Sequence, residues 1–248
     1  MSRRSLSEIA AQPFDRRTYV VAWKLARIHP APWTRAARDP DYRLARAAIG
    51  KRAAQKIREL TPLVRLLRSG RLDTVVEIGT DLGGTLYLWC RLASPDATIV
   101  SVDLPGADFG RPDAESAAAT LRGYARTGQQ LHLLRLDSHD MGTRDRVEQL
   151  LAGRRVDLLF IDGDHSYEGV RADFELFSPL VADGGLIVLH DILPSEVAAN
   201  CDVDRFWAEL RTRYRVSELV DPYDDRGRGQ WGGIGVIHWE RGDAAEKA

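Results

Sequence analysis

The sequence predicts an α/β protein: a doubly wound sheet of seven strands, strand 7 antiparallel, behind an N-terminal helical extension. Three observations carry that prediction. The stretch Thr74-Val-Val-Glu-Ile-Gly-Thr-Asp-Leu-Gly-Gly-Thr85 reads as a β-branched strand, a tight glycine turn and a helix start. A parallel sheet uses that order to bring backbone N–H groups close to a nucleotide-like ligand. Downstream, short apolar runs alternate with helical patterns, as in a sheet covered on both faces. Finally, each of the first five strands carries an acidic residue in it near, or just past, its C-terminal end: Glu77, Asp103, Asp137, Asp162 and Asp191. Open sheets of this Rossmann-like kind bind ligands outside their carboxyl ends.

Taken in order, residues 1–41 are polar and arginine-rich, with Trp23, Trp33 and four prolines. One helix is expected there, near Arg17–Ile28. The segment reads as a cap, a dimer arm or a frayed tail, and the sequence leaves the three open. Leu44, Ala48, Ile49, Ala53, Ile57, Leu60, Val64 and Leu67 follow a helical stripe, which Gly50 and Pro62 are expected to interrupt. Ser69-Gly70 stops it. The strands are then expected at 74–78, 98–102, 131–136, 156–161, 185–189, 216–220 and 233–239. Helices are expected after the glycine turn to Leu92 and over 114–127, 143–152, 167–180 and 203–214. The polar loop Asp221–Gln230 has no helical pattern, so the last two strands can pair as an antiparallel hairpin. The expected domain boundaries are 1–54 as a basic helical extension and 55–248 as the domain that holds the sheet.

Composition excludes little by itself. The net charge of -1 carries no global polyelectrolyte signal, but its distribution is uneven. Residues 1–71 hold 17 Lys and Arg against 5 Asp and Glu, while the remainder holds 18 against 31. The basic residues are spread rather than clustered, which fits a solvated Arg face on an acidic body better than a nucleic-acid footprint. Cys90 and Cys201 sit in no CxxC or Cys/His cluster, which argues against a disulfide framework or structural zinc. No apolar run reaches the roughly 18–20 residues of a membrane span. Arg3 and Arg4 precede no apolar segment of a secretory signal. A cytoplasmic homo-oligomer that touches no membrane is the expectation.

The chemistry of the edge follows from spacing. In Gly79-Thr-Asp-Leu-Gly-Gly84, Asp81 stands where the dinucleotide fingerprint wants its second glycine. A carboxylate there sits badly against a pyrophosphate and well against a cationic ligand bearing an ammonium group. S-adenosylmethionine fits that description. Asp103 falls 26 residues after Glu77, where a carboxylate on the second strand would grip ribose hydroxyls.

Val-Glu-Ile-Gly-Thr-Asp-Leu-Gly-Gly-Thr, Ser-Val-Asp-Leu-Pro-Gly, Phe-Ile-Asp-Gly-Asp-His-Ser-Tyr-Glu-Gly-Val and Gly-Gly-Leu-Ile-Val-Leu-His-Asp together resemble class I S-adenosylmethionine-dependent O-methyltransferases. The similarity is to methyltransferase family 24, with its macrolide-sugar, rhamnosyl and cephalosporin-hydroxylase-like members, over about residues 55–240. The resemblance implies that Glu77, Gly79, Thr80, Gly83 and Thr85 surround the methionine end of the cofactor. It places Asp103 on the ribose, Leu104, Asp137 and Ser138 at the adenine, and Asp162 at the boundary with the acceptor. It also implies a divalent cation, Mg or Mn, on Asp162, His190 and Asp191. An imidazole at His190 departs from the all-oxygen set of metal-dependent relatives; it is a poor magnesium ligand and suits manganese, zinc or iron. His165, three residues after Asp162, would be the general base, because an imidazole titrates near neutral pH and can take a hydroxyl proton.

The expected function is methyl transfer to a hydroxyl of a small molecule: a sugar, a glycosylated natural product or a phenol. The alternative is an RNA methyltransferase using the basic N-terminal third. Against it, the (Asn/Asp)-Pro-Pro-(Tyr/Phe) motif of base N-methylation is missing after the fourth strand, and Asp221-Pro-Tyr223 falls after the sixth. A nicotinamide oxidoreductase is disfavoured by Asp81. A non-catalytic role on the same fold is the remaining class.

Overall fold

The computed structural model describes residues 38–105, 114–198, 200–221 and 230–240. The expected helix at Arg17–Ile28, Trp23, Trp33, Tyr223 and most of the two loops around 106–113 and 222–229 lie outside the described residues. Helices α1 (Pro40–Gly50) and α2 (Ile57–Arg68) come first, then β1 (Thr74–Ile78), α3 (Gly84–Leu92), β2 (Thr98–Asp103), α4 (Ala114–Arg122) and β3 (Gln130–Arg135). They are followed by α5 (Met141–Leu151), β4 (Val156–Ile161), α6 (Tyr167–Phe177), β5 (Val181–His190), α7 (Val203–Arg213), β6 (Val216–Leu219) and β7 (Ile234–His238).

These strands form one seven-stranded sheet in the order β3-β2-β1-β4-β5-β7-β6. The first five are parallel, and β7 runs antiparallel to both β5 and β6. The continuous apolar runs of β1 and β4 are what a strand covered on both faces requires. Val76 and Ile78 face a layer with Val147, Phe174, Phe177, Phe206 and Trp207 from α5, α6 and α7. Val75 faces the opposite layer with Ala45, Leu60, Leu86 and Leu121 from α1 to α4. The chain reverses at β1/β4, so the carboxyl ends of those two strands open the crevice that holds the site.

Three local expectations are corrected. Pro62 lies inside α2 and does not break it. Its missing N–H costs one backbone bond, while the packing of Leu60, Leu63, Val64 and Leu67 holds the turns on either side. The helix before β3 ends at Arg122 rather than running to 127, because Gly123 follows. β5 begins at Val181, four residues early, with its register against β4 shifting where Gly184 takes φ 78°. Upstream of it, Pro179 turns the end of α6 into a 3-10 turn over Ser178–Leu180.

Candidate functional site

The glycine turn is built by its neighbours. Gly79 has φ 84°, and a Cβ there would overlap the Asp162 backbone carbonyl. Only glycine lets the end of β1 lie against the end of β4. Gly79 N donates to Val102 O of β2 (2.9 Å) and Asp162 N to Ile78 O of β1 (2.8 Å), which ties the ends of β2, β1 and β4 together. Gly83, at φ 80°, caps α3 and packs on Leu121; Gly84 lies so close to Ala53 that any side chain would strike its backbone. The segment before α2 is therefore docked on the turn.

The cleft beyond these strand ends encloses about 620 Å³. Of the predicted cofactor-binding residues, Gly79, Thr80, Thr85, Asp103, Leu104, Asp137, Ser138 and Asp162 line it, and so does His165. Glu77 and Gly83 lie behind the turn, outside that lining. Glu77 is wholly buried, with Oε1 accepting from Trp89 Nε1 at 2.7 Å and the Thr80 and Thr85 hydroxyls beside it. Burial pushes its carboxyl up to about 8. His190 and Asp191 also stand just behind the lining, 3% and 9% exposed.

Asp103 holds the turn in shape. Its Oδ2 accepts from Asp81 N (3.0 Å) and Thr80 N (3.3 Å), and its Oδ1 from Leu104 N (2.9 Å). Thr80 Oγ1 also meets Ser101 Oγ. Asp81, at φ 47°, is pushed up to about 7, first by burial and then by the charges of Asp103 and Asp162. Leu104 and Leu136 are exposed at the cleft and offer flat apolar walls. Asp81 Oδ1 and Gln55 Oε1 are buried with no hydrogen-bond partner among the described residues. Together they give the cleft two acceptors for a donating or cationic ligand.

At the β4 end, Asp162 is the hub. Its Oδ1 lies 3.3 Å from His165 Nε2 and 3.2 Å from His190 Nδ1; its Oδ2 accepts from Gln55 Nε2 at 2.6 Å. Asp191 Oδ2 is 3.5 Å from His165 Nε2 and 3.3 Å from His190 Nδ1. Two imidazoles thus sit between two carboxylates. Burial opposes every charge in the cluster, yet pairing wins. Asp162 and Asp191 are held below the usual carboxylate range, mainly by His190. His190 is raised well above the ordinary imidazole value by Asp191 and Asp162, and His165 is raised by the same two carboxylates.

Asp162, His190 and Asp191 offer an oxygen, a nitrogen and an oxygen within 4.8 Å of one another. That set fits a divalent cation accepting mixed nitrogen and oxygen ligands, such as manganese, zinc or iron, better than magnesium. The imidazole protons would leave as such an ion entered.

Sequence reasoning missed the contribution of α2 and the loop before it. Gln55 reaches Asp162, and Glu59, wholly buried, accepts from Gly233 N at 3.0 Å beside His190. Burial raises the Glu59 carboxyl. Lys56 Nζ donates to Trp231 O (2.7 Å) and stands 4.5 Å over the Trp231 ring, fastening this segment to the loop before β7. A signal was present: Glu59 is four residues before Leu63, on the face α2 buries. Arg52, His139 and Cys201 also line the cleft.

Residues 76–192 match the family described as methyltransferase domain, the family 24 group. An uncharacterised protein of Sinorhizobium fredii is 29% identical over 185 residues, covering 71% of this chain and 18% of that protein. The ribosomal RNA large subunit methyltransferase E of Halorubrum lacusprofundi is 27% identical, over 69% of this chain and 59% of that one. The chain thus spans less than two thirds of either relative. Among solved structures, the O-methyltransferase TomG of Streptomyces achromogenes, in complex with SAM, superposes with a TM-score of 0.52. It is 17% identical, with 95% of each chain covered. MycE, in complex with Mg, SAH and mycinamycin VI, gives 0.52 at 18% identity, over 85% of this chain and 57% of that one. At such identities the likeness is one of fold. Among the described residues, no helix is long and apolar enough to cross a membrane.

Proposed function

We propose that this chain, whose residues 76–192 match a methyltransferase-domain family, transfers the methyl group of S-adenosylmethionine to a hydroxyl of a small molecule. A sugar, a glycosylated natural product or a phenol is the acceptor class. The observation that carries the reading is the Asp162–His165 pair (3.3 Å), which lines the same cleft as the Gly79–Thr85 turn, beside it where the β4 end lies against the β1 end. The turn suits the donor, and the pair beside it suits the removal of a proton.

The cofactor supplies a methyl group already activated by the sulfonium charge. Asp103 binds the ribose hydroxyls with the lone pairs left over from its backbone bonds. Leu104 and Leu136 flank the adenine, with Asp137 and Ser138 at its edge, and Asp81 Oδ1 takes up the positive end of the ligand. Glu77 and Gly83 act from behind, by fixing the turn.

The His165 imidazole, whose Nε2 is held against the Asp162 and Asp191 carboxylates, accepts the acceptor's hydroxyl proton as the methyl group transfers. Asp162 keeps the ring oriented and stabilises the imidazolium that forms. Gln55 holds the second Asp162 oxygen, so the carboxylate cannot rotate away. A divalent cation held by Asp162, His190 and Asp191 would orient the acceptor oxygen and lower its pKa. Most of the rate enhancement is positioning, because both reacting groups are brought into line.

The test is methyl transfer from labelled S-adenosylmethionine over a panel of glycosylated and phenolic acceptors, with and without a chelator. Turnover on one acceptor class, lost on chelation and restored by Mn²⁺, supports the reading. Cofactor binding without turnover on any hydroxylated acceptor rejects it.

A second reading, methylation of RNA, is favoured by the ribosomal RNA methyltransferases at 27% and 28% identity and by the basic first third. Its mark would be RNA binding that weakens steeply with salt.

A further inference from the structure

Cys201 has no part in the chemistry above, yet the fold delivers it to the cleft. The loop after β5 returns over the β4 end, and Asp202 N donates to His165 O at 2.8 Å. That bond pins the residue next to Cys201 onto the candidate base. Cys201 is a free, half-buried thiol, and its sulfur, a His165 ring nitrogen and an Asp191 oxygen all lie within 4.8 Å of one another. His165 Nε2 and Asp191 Oδ2 are already 3.5 Å apart. A tetrahedral zinc with bonds of about 2.0–2.3 Å holds its ligand atoms roughly 3.3–3.8 Å apart, so small side-chain adjustments complete the set. The three lie along a chain in which 165 and 201 are far apart, so no sequence spacing announces them.

We propose that His165, Asp191 and Cys201 form a second cation site, selective for a thiophilic ion such as Zn²⁺, whose occupation inhibits the enzyme. The site is distinct in donor chemistry from the set Asp162, His190 and Asp191, which offers no sulfur. A hard ion has no use for the thiol, whereas Zn²⁺ gains a thiolate and an imidazole. Binding releases the thiol proton and any proton on His165 to solvent. It also consumes the His165 lone pair that proton abstraction needs, and it draws on Asp191. Cation identity thereby regulates the site. The inhibitory consequence rests on the proposed role of His165; the binding itself does not.

The experiment uses the full chain stripped of metal and titrated with Co²⁺, a spectroscopic stand-in for Zn²⁺. The wild type is expected to develop a thiolate-to-cobalt band in the near ultraviolet, and an equivalent of Zn²⁺ is expected to abolish it. C201S is expected to lack the band and to bind Zn²⁺ at least about tenfold more weakly. H165A, which keeps the thiol, is expected to weaken Zn²⁺ binding by a similar factor. Circular dichroism establishes that each variant is folded. Cys90 is wholly buried in the core and serves as the internal control thiol. A folded wild type without a thiolate band overturns the proposal, as does an undiminished band in C201S or unaltered Zn²⁺ affinity in H165A. The cobalt spectrum needs neither acceptor nor turnover, so failure of the methyl-transfer reading and failure of this site are separable. Where turnover is measurable, the Zn²⁺ concentration for half-inhibition rises at least about tenfold in C201S relative to wild type.

Discussion

Replacing Glu77 with glutamine should change the pH dependence of folding. The side chain is wholly buried, and burial holds its carboxyl up to about 8, against 4.5 for a free glutamate. Between those values the folded state keeps a proton that the unfolded chain releases. A raised folded value means stability that is fully present at low pH and lost as pH rises through the folded value. Each tenfold difference in proton affinity between the folded and unfolded chain is worth ~1.4 kcal/mol, so the wild type should lose roughly 3–4 kcal/mol relative to Glu77→Gln between about pH 5 and about pH 8. Glutamine keeps the shape and an oxygen for Trp89 Nε1, so packing is preserved. Other groups titrate too. The raised imidazoles of His165 and His190 also shed stability as pH rises, while the depressed Asp162 and Asp191 shed theirs only in acid. Both proteins share these groups, so the difference between them isolates Glu77. The assay is urea unfolding followed by circular dichroism at closely spaced pH values. Parallel stability curves for the two proteins would refute the reasoning, because they would mean that Glu77 is ionised in the folded chain.

Three further outcomes are expected. Gly79→Ala forces a Cβ onto the Asp162 carbonyl at φ 84°, so thermal unfolding should show a loss of more than about 2 kcal/mol; an unchanged melting temperature would count against the strand contact. His165→Ala should lower kcat about 100- to 10,000-fold while the KM for S-adenosylmethionine holds, and a wild-type kcat would remove His165 from the chemistry. Gln55→Leu should reduce kcat roughly tenfold by freeing the Asp162 carboxylate, a charge-assisted bond being worth about 1.5–3 kcal/mol; steady-state kinetics on the same acceptor decides it.

The strand–turn–helix at Thr74–Thr85 was legible because it is local. Three glycines and a β-branched run specify the turn whatever else the chain does, and the alternation after it leaves few topologies for a parallel sheet. The five carboxylates were legible for the same reason: a residue at a strand's end is carried to the sheet's edge by the strand. The limits of local reading show at Pro62. Propensity alone breaks the helix there, and burial of four aliphatic side chains outweighs the one lost hydrogen bond.

By itself, then, the sequence determined the sheet, its acidic edge and the residues of the glycine turn, since each is encoded within a dozen neighbouring positions. Only the tertiary structure decided which side chains share a carboxylate. Gln55 and Asp162 are separated by 107 residues, Glu59 and Gly233 by 174, and neither pairing follows from any period. The same holds for what lies in front of the turn and what lies behind it. Glu77 and Gly83 belong to the motif yet stand outside the cleft, because a strand and a helix each show one face to the site and the other to the core.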